Sequence, residues 1–194
     1  MSGAAWYAAG MDKSEVCQMA LHELGEHEYV SGTPGFEACE LYFRQVFMFL
    51  LKRHDWSFAR KRVKLVHCEQ GWKLPVDCLS IVELSGLRHW RKYGECIVPE
   101  VDGWCDGEVW AVYTSSECVA RGYIPDDMPD FAQVLIYDLS AAICGCVCGD
   151  EGKRQELLEK AEGVLREAAL LDAKQDASND QHPLMQMLNN SITA

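Results

Sequence analysis

The chain lacks most of the short signals that announce chemistry. It has ten cysteines among 194 residues but no Cys-x-x-Cys pair, which removes zinc-ribbon spacing and a thioredoxin-like motif. It has no Gly-rich phosphate loop of either common form. The longest obvious apolar run is VFMFLL at 46–51, well short of the ~18 residues that read as a membrane span. MSGAAWYAAG at the start has no basic region and no continuous apolar stretch, so it does not read as a signal peptide. Bases are few: 18 Lys and Arg against 30 Asp and Glu give a formal charge of −12, the wrong sign for tight nucleic-acid binding. The cysteines are therefore expected to be reduced thiols that act as small buried hydrophobes, and no cofactor or metal is expected.

What is present suits one globular domain. No repeat, low-complexity segment or linker divides the chain, and 48% hydrophobic residues suffice for a good core. Residues 1–13 are expected to form a flexible arm. Ser14 is a good N-cap for a helix over 14–28, with Cys17, Ala20, Leu21 and Leu24 on one face. Thr33 caps a second helix over 33–54, with Pro34 at the first helical position. Its stripe is Phe36, Cys39, Phe43, Val46, Phe47 and Leu50. Met48, Phe49 and Leu51 make its end apolar on almost every side, so something must cover more than one face: the domain core or a neighbouring subunit.

From 62 to 114 the pattern changes to short β segments (RVKLVHC, CLSIVEL, LRHWRKY, ECIV, EVWAVYT) separated by Gly and Pro turns. Helices return over 128–148, with Phe131, Leu135, Leu139, Ala142 and Cys146 as a stripe, and over 153–174. The latter carries Leu157, Ala161, Val164, Ala168 and Leu171, with Glu156/Lys160 and Glu162/Arg166 spaced as i,i+4 pairs. The expected fold is α+β: an antiparallel four-helix core, two helices from each end, with one small inserted antiparallel β-sheet. Residues 176–194 are polar apart from Leu184, Met185, Met187 and Leu188, and read as a tail that orders against a partner.

Three sequence features invite catalytic or metal readings. HELGEH at 22–27 resembles HExxH, but its histidines are five apart and on a continuous helix point roughly 140° from one another. Within Cys144-Gly-Cys146-Val-Cys148, Cys144 and Cys148 share a helical face while Cys146 lies away from it. The basic stretch 52–64, with Trp56 and Phe58, is conceivable as a stacking platform for single strands, but its aromatics are expected to close the second helix against the sheet. No Cys or Ser pairs recognisably with a His, and the chain is expected not to be an enzyme.

Four blocks do match one family in order. They are VCQMALHELGEHEYVS at 16–31, EACELYFRQVFMFLLKRHDWSFARKRVKLV at 37–66, GWKLPVDCLSIVEL at 71–84 and FAQVLIYDLSAAI at 131–143. Together they resemble the head-to-tail adaptors of short-tailed bacteriophages (tail tubular A or gatekeeper-like proteins), over about residues 14–175. The resemblance departs before the second helix, where SGTPG replaces an acidic turn, and matches only in outline over 86–125. It implies a virion protein made in the host cytoplasm. Such a subunit forms a dodecameric ring between the portal and the next tail component and passes DNA through its channel, with no membrane contact. It also implies that Trp56, Phe58, Ala59, Arg62, Leu74, Pro75 and Asp77 are fold-forming, with Asp77 a cap or a partner of Arg62. The tail residues Leu184, Met185, Met187 and Leu188 then dock on the portal. The uneven charge would place the bases of 52–64 at subunit or portal contacts and the acids of 95–130 largely toward the channel or tail side. Self-repulsion would keep the free subunit monomeric. Two other readings stay open: a small cysteine-rich metal or redox protein, and a general protein-interaction module.

Overall fold

Asp12, the last residue of a short strand, opens the first helix. A computed structural model describes residues 10–100 and 107–179. Strand β1 (Gly10–Asp12) occupies the last part of the expected arm, while residues 1–9 lie outside the described residues. The Asp12 carboxylate accepts the Glu15 amide and the Glu15 carboxylate accepts the Asp12 amide. This reciprocal cap starts α1 (Lys13–Glu23) two residues before Ser14 could cap it. The helix also stops early. Gly25, at φ +86°, returns its amide to the His22 carbonyl, and Glu26 returns its amide to Leu21.

The second helix, α2 (Pro34–Leu51), begins as the sequence indicates, with the Thr33 hydroxyl accepting the Phe36 amide and proline in the first turn. Its buried face is Ala38, Cys39, Phe43, Phe47, Leu50 and Leu51. A 3-10 turn (Ser57–Ala59) then leads into β2 (Arg60–Lys64), β3 (Val66–Cys68), β4 (Gly71–Lys73), β5 (Cys78–Ser85), β6 (Trp90–Tyr93), β7 (Cys96–Pro99) and β8 (Trp110–Ser115). After these come the short helix α3 (Glu117–Arg121), strand β9 (Tyr123–Pro125), and the long helices α4 (Pro129–Val147) and α5 (Glu151–Asn179).

Among the described residues, five helices and nine strands in three sheets thus overturn the expectation of a four-helix core with one small sheet. β8 runs between β2 and β5, antiparallel to both. β3, β4, β7 and β6 form a separate antiparallel sheet in that order, and β1 pairs with β9. The division has a physical cause. Frequent turns keep the strands short, and the β region has its own core of Leu65, Trp72, Leu74, Leu87, Ile97, Val109 and Ala111, separate from the helical core. Both larger sheets contribute to the β core, Ala111 from β8 and Trp72 and Ile97 from β4 and β7. The helix beyond the four expected is α3, a single short segment that Gly122 ends at φ +62°.

Helix α4 is the centre of the helical part and packs on α1, α2 and α5. By length and composition it is apolar enough to cross a bilayer, which a count of uninterrupted apolar runs misses; 56% of its apolar window is buried inside the protein. Its buried surface takes in Phe131, Leu135 and Leu139 as expected, but continues through Ile143 and Cys144, leaving Cys146 exposed. Ser140, fully buried, satisfies its hydroxyl at the Ile136 carbonyl 2.6 Å away. On α5 the buried stripe is Leu157, Ala161, Leu165 and Ala168, and it ends on a carboxylate, Asp172. Leu171 is half exposed instead.

Candidate functional site

The residues singled out by sequence gather where α2 meets the sheet. After Lys52 caps α2, the chain turns and buries Trp56, whose indole N–H donates to the Leu50 carbonyl at 3.2 Å. The rings of Phe58 and Phe131 stand edge-on to each other with centroids 4.9 Å apart, and Trp56 meets Phe131 at the same separation. Ala59 is buried because the 3-10 turn brings its methyl against this cluster. The aromatics of the basic stretch therefore close the end of α2 and are not an exposed stacking platform.

Asp77, just before β5, is the polar centre of the sheet end. It accepts the Lys61 ammonium at 2.8 Å, the Ser115 hydroxyl at 2.6 Å and the Tyr113 hydroxyl at 3.1 Å, while its carbonyl accepts the Ser116 amide. Lys61 also pairs with Glu117. Burial raises the Asp77 carboxyl, but the hydrogen bonds from Lys61, Ser115 and Tyr113 outweigh it and hold it below its usual range. The Asp77 and Glu117 carboxylates in turn raise the Lys61 ammonium. Burial, with the adjacent Asp77 charge, pushes the Tyr113 hydroxyl up to about 12. All these groups are thus fixed in their ordinary ionic forms near neutrality. The cluster is a clamp between β2, β5 and β8 and does not exchange protons there.

Arg62, expected to pair with Asp77, instead lies over the Trp110 ring at 5.2 Å. The pleat decides this: Lys61 stands opposite Tyr113 and shares its face, whereas Arg62 stands opposite Val112 and points the other way. Leu74 is buried at the end of β4 and gives its amide to Glu95; Pro75 follows in a turn whose carbonyl accepts the Cys78 amide. Leu184, Met185, Met187 and Leu188 lie outside the described residues.

The unequal charge of the sequence is settled largely within the subunit. Lys61 meets Glu117, Lys64 meets Glu108, Arg60 meets Asp55, and Arg53 reaches Glu162 and Asp138. Two bases of 52–64, Lys61 and Lys64, therefore meet acids of 95–130, Glu117 and Glu108, inside one chain.

One constellation escaped the sequence reading. Ser57, His54 and Asp172 meet at the foot of α5: the Ser57 hydroxyl donates to Asp172 at 2.5 Å, the Ser57 amide at 3.1 Å, and a His54 ring nitrogen lies 3.2 Å from the same carboxylate. The order is wrong for nucleophilic catalysis, since the carboxylate lies between serine and histidine instead of the histidine between the other two. Its role is to cap the 3-10 turn. No local signal reveals it, because 115 positions separate Ser57 from Asp172.

The cysteines divide by position. Cys17, Cys39 and Cys144 are buried, Cys146 and Cys148 exposed, and Cys68, Cys78, Cys96 and Cys118 lie between. Cys144 and Cys148 bring their sulfurs to 3.4 Å, as their shared face implied, and Cys68 and Cys96 come to 3.7 Å across the β3–β4 sheet. The His22 and His27 rings, expected to diverge, lie 5.3 Å apart because α1 ends between them and the chain folds back. Among the described residues no three His, Cys, Asp or Glu side chains converge as a metal site. No protein-family model matches this chain, and no curated protein matches it.

Proposed function

We propose that the chain is the ring-forming subunit of a bacteriophage head-to-tail adaptor, placed between the portal and the next tail component around the path of the DNA. The observation that carries this reading is the junction built by Trp56, Phe58 and Ala59. The signature whose resemblance makes it fold-forming is buried between α2 and the sheet, with Phe131 from the fourth matching block against it. Two further points support it. The polar groups at Asp77 and Asp172 are taken up in hydrogen bonds that tie elements of the fold together, and the outer side of α2 keeps large apolar side chains exposed. The test uses full-length protein and heads that carry a portal but no tail. Purified chain should bind such heads and retain their DNA, and a chain shortened to residue 179 should stay folded but fail to join them. Unimpaired joining by the shortened chain removes the tail from the reading, and no binding by the full chain removes the adaptor.

A thiol-redox reading has one observation in its favour, the 3.4 Å approach of the Cys144 and Cys148 sulfurs. Treating reduced protein with oxidised glutathione and counting thiols decides it. Loss of two thiols as an internal disulfide, with transfer to a second thiol substrate, supports this reading over the adaptor.

A further inference from the structure

Helix α2 is apolar on nearly every side, yet the core covers only one of them. Leu41 is 70% exposed and Phe49 69% exposed. With Arg44, Gln45, Met48 and Lys52 they line an open depression of about 400 Å³. Solvent-exposed apolar side chains grouped in this way mark an interaction surface more often than isolated ones do. Both charged residues of the depression are bases, and neither has an ion pair or hydrogen bond among the described residues.

The complement is found on the same chain, on a face that points elsewhere. On the outer side of α5, Leu170 is 62% exposed. Glu167 lies one turn before it and Glu159 about three turns before it on the same side. Both are exposed and form no ion pair among the described residues, Glu159 accepting the Gln155 side-chain amide, and the space next to Gly163 is open. Arg44 and Lys52 stand eight positions apart on one helix, and Glu159 and Glu167 stand eight positions apart on the other. Each pair therefore spans about 12 Å with the same angular offset around its axis. α4 packs against both α2 and α5, and where the end of α2 approaches α5 the contact is Arg53 with Glu162, outside both faces.

We propose that the α2 depression is a self-association face. It receives the outer side of α5 from a second copy in antiparallel register, with Leu170 entering beside Leu41, Phe49 lying over the open space at Gly163, and Glu167 and Glu159 meeting Arg44 and Lys52. Because the two faces differ, the contact is head-to-tail, and its repetition closes a ring or extends a filament. This deepens the adaptor reading and rests on it for the ring, but the contact itself is measurable without a phage particle.

The experiment is sedimentation velocity on the full chain at low salt, up to about 0.5 mM, a range that captures weak contacts with Kd near the high-micromolar level. Wild type should associate, and Phe49→Asp should remain monomeric with an unchanged thermal midpoint. Reversing one face (R44E with K52E) or the other (E159K with E167K) should weaken association about tenfold or more, and an equimolar mixture of the two reversed chains should restore it. Wild type that is monomeric throughout, reversals that associate like wild type, or a mixture that stays dissociated overturns the contact. The same variants are then offered to portal-bearing heads. Normal joining by Phe49→Asp refutes the contact and leaves the adaptor standing. Association through these faces without any binding to heads refutes the adaptor and leaves the contact standing.

Discussion

The carboxylate of Asp172, 3% exposed near the end of α5, accepts the Ser57 hydroxyl at 2.5 Å and thereby ties the last helix to the turn that follows α2. It also accepts the Ser57 amide and lies within reach of His54. Asp172→Ala removes the acceptor for all three and is expected to cost about 2–4 kcal/mol in urea unfolding, because buried donors are left unpaired. Ser57→Ala should cost about 1 kcal/mol. The double variant should fall short of the sum, since the two residues share one interaction. Full additivity would show that the contact contributes nothing.

The Asp77 cluster predicts an acid-sensitive sheet end. Asp77 and Glu117 are both held below their ordinary values, Asp77 by hydrogen bonds that overcome burial and Glu117 by its hydrogen bond to Lys61. A carboxylate lowered on folding stabilises the protein fully above its unfolded pKa of about 4, and that contribution is lost as pH falls through the lower folded value. The thermal midpoint should therefore drop between about pH 5 and pH 2, and Lys61→Met should flatten the fall as well as lower the plateau. Lys61, raised on folding, adds stability below its unfolded pKa that disappears only at strongly alkaline pH. An unchanged acid profile in Lys61→Met counts against the clamp.

Trp56 anchors the junction by packing and by one hydrogen bond. Trp56→Ala should lower stability by about 3–5 kcal/mol through the cavity left against Phe131 and Phe58. Trp56→Phe keeps much of the volume and should lose about 1–2 kcal/mol, part of it from the lost indole hydrogen bond to the Leu50 carbonyl, which keeps the Arg53 amide. Chemical unfolding followed by far-ultraviolet circular dichroism measures both. Equal losses in the two variants would show that volume is not what the site requires.

Thiol reactivity should follow burial. In native protein at mildly alkaline pH, Cys146 and Cys148 are expected to react first with a chromogenic disulfide. Cys17, Cys39 and Cys144 should react only after unfolding. Burial and the Cys148 sulfur raise Cys144, and the hydrogen bond to Cys17, with burial, raises Cys39, which slows both further. Fast reaction of Cys39 in the native state would mean that the α1–α2 contact opens readily.

The long helices were legible because their signals are local. Thr33 and Pro34 start α2 wherever the rest of the chain goes, and Glu156/Lys160 pair along α5 at 2.6 Å because four positions make one turn. The β segments were legible for the same reason, as runs of β-formers between turns. Their partners were not. That β8 runs between β2 and β5, while β3, β4, β7 and β6 form a sheet of their own, depends on which short strands bury which face together. The same is true of the site. Its aromatic members stood out in the sequence, but Asp77 chose Lys61 over Arg62 by the pleat of β2, and Asp172 reached Ser57 only through the packing of α5 on α4. The sequence by itself determined the long helices, the main β segments and the cap of α2, since each depends on neighbours within a turn or two. Only the tertiary structure decided the sheet partition, the ion pairs and which face of α2 stays open, because those depend on residues brought together from far apart along the chain.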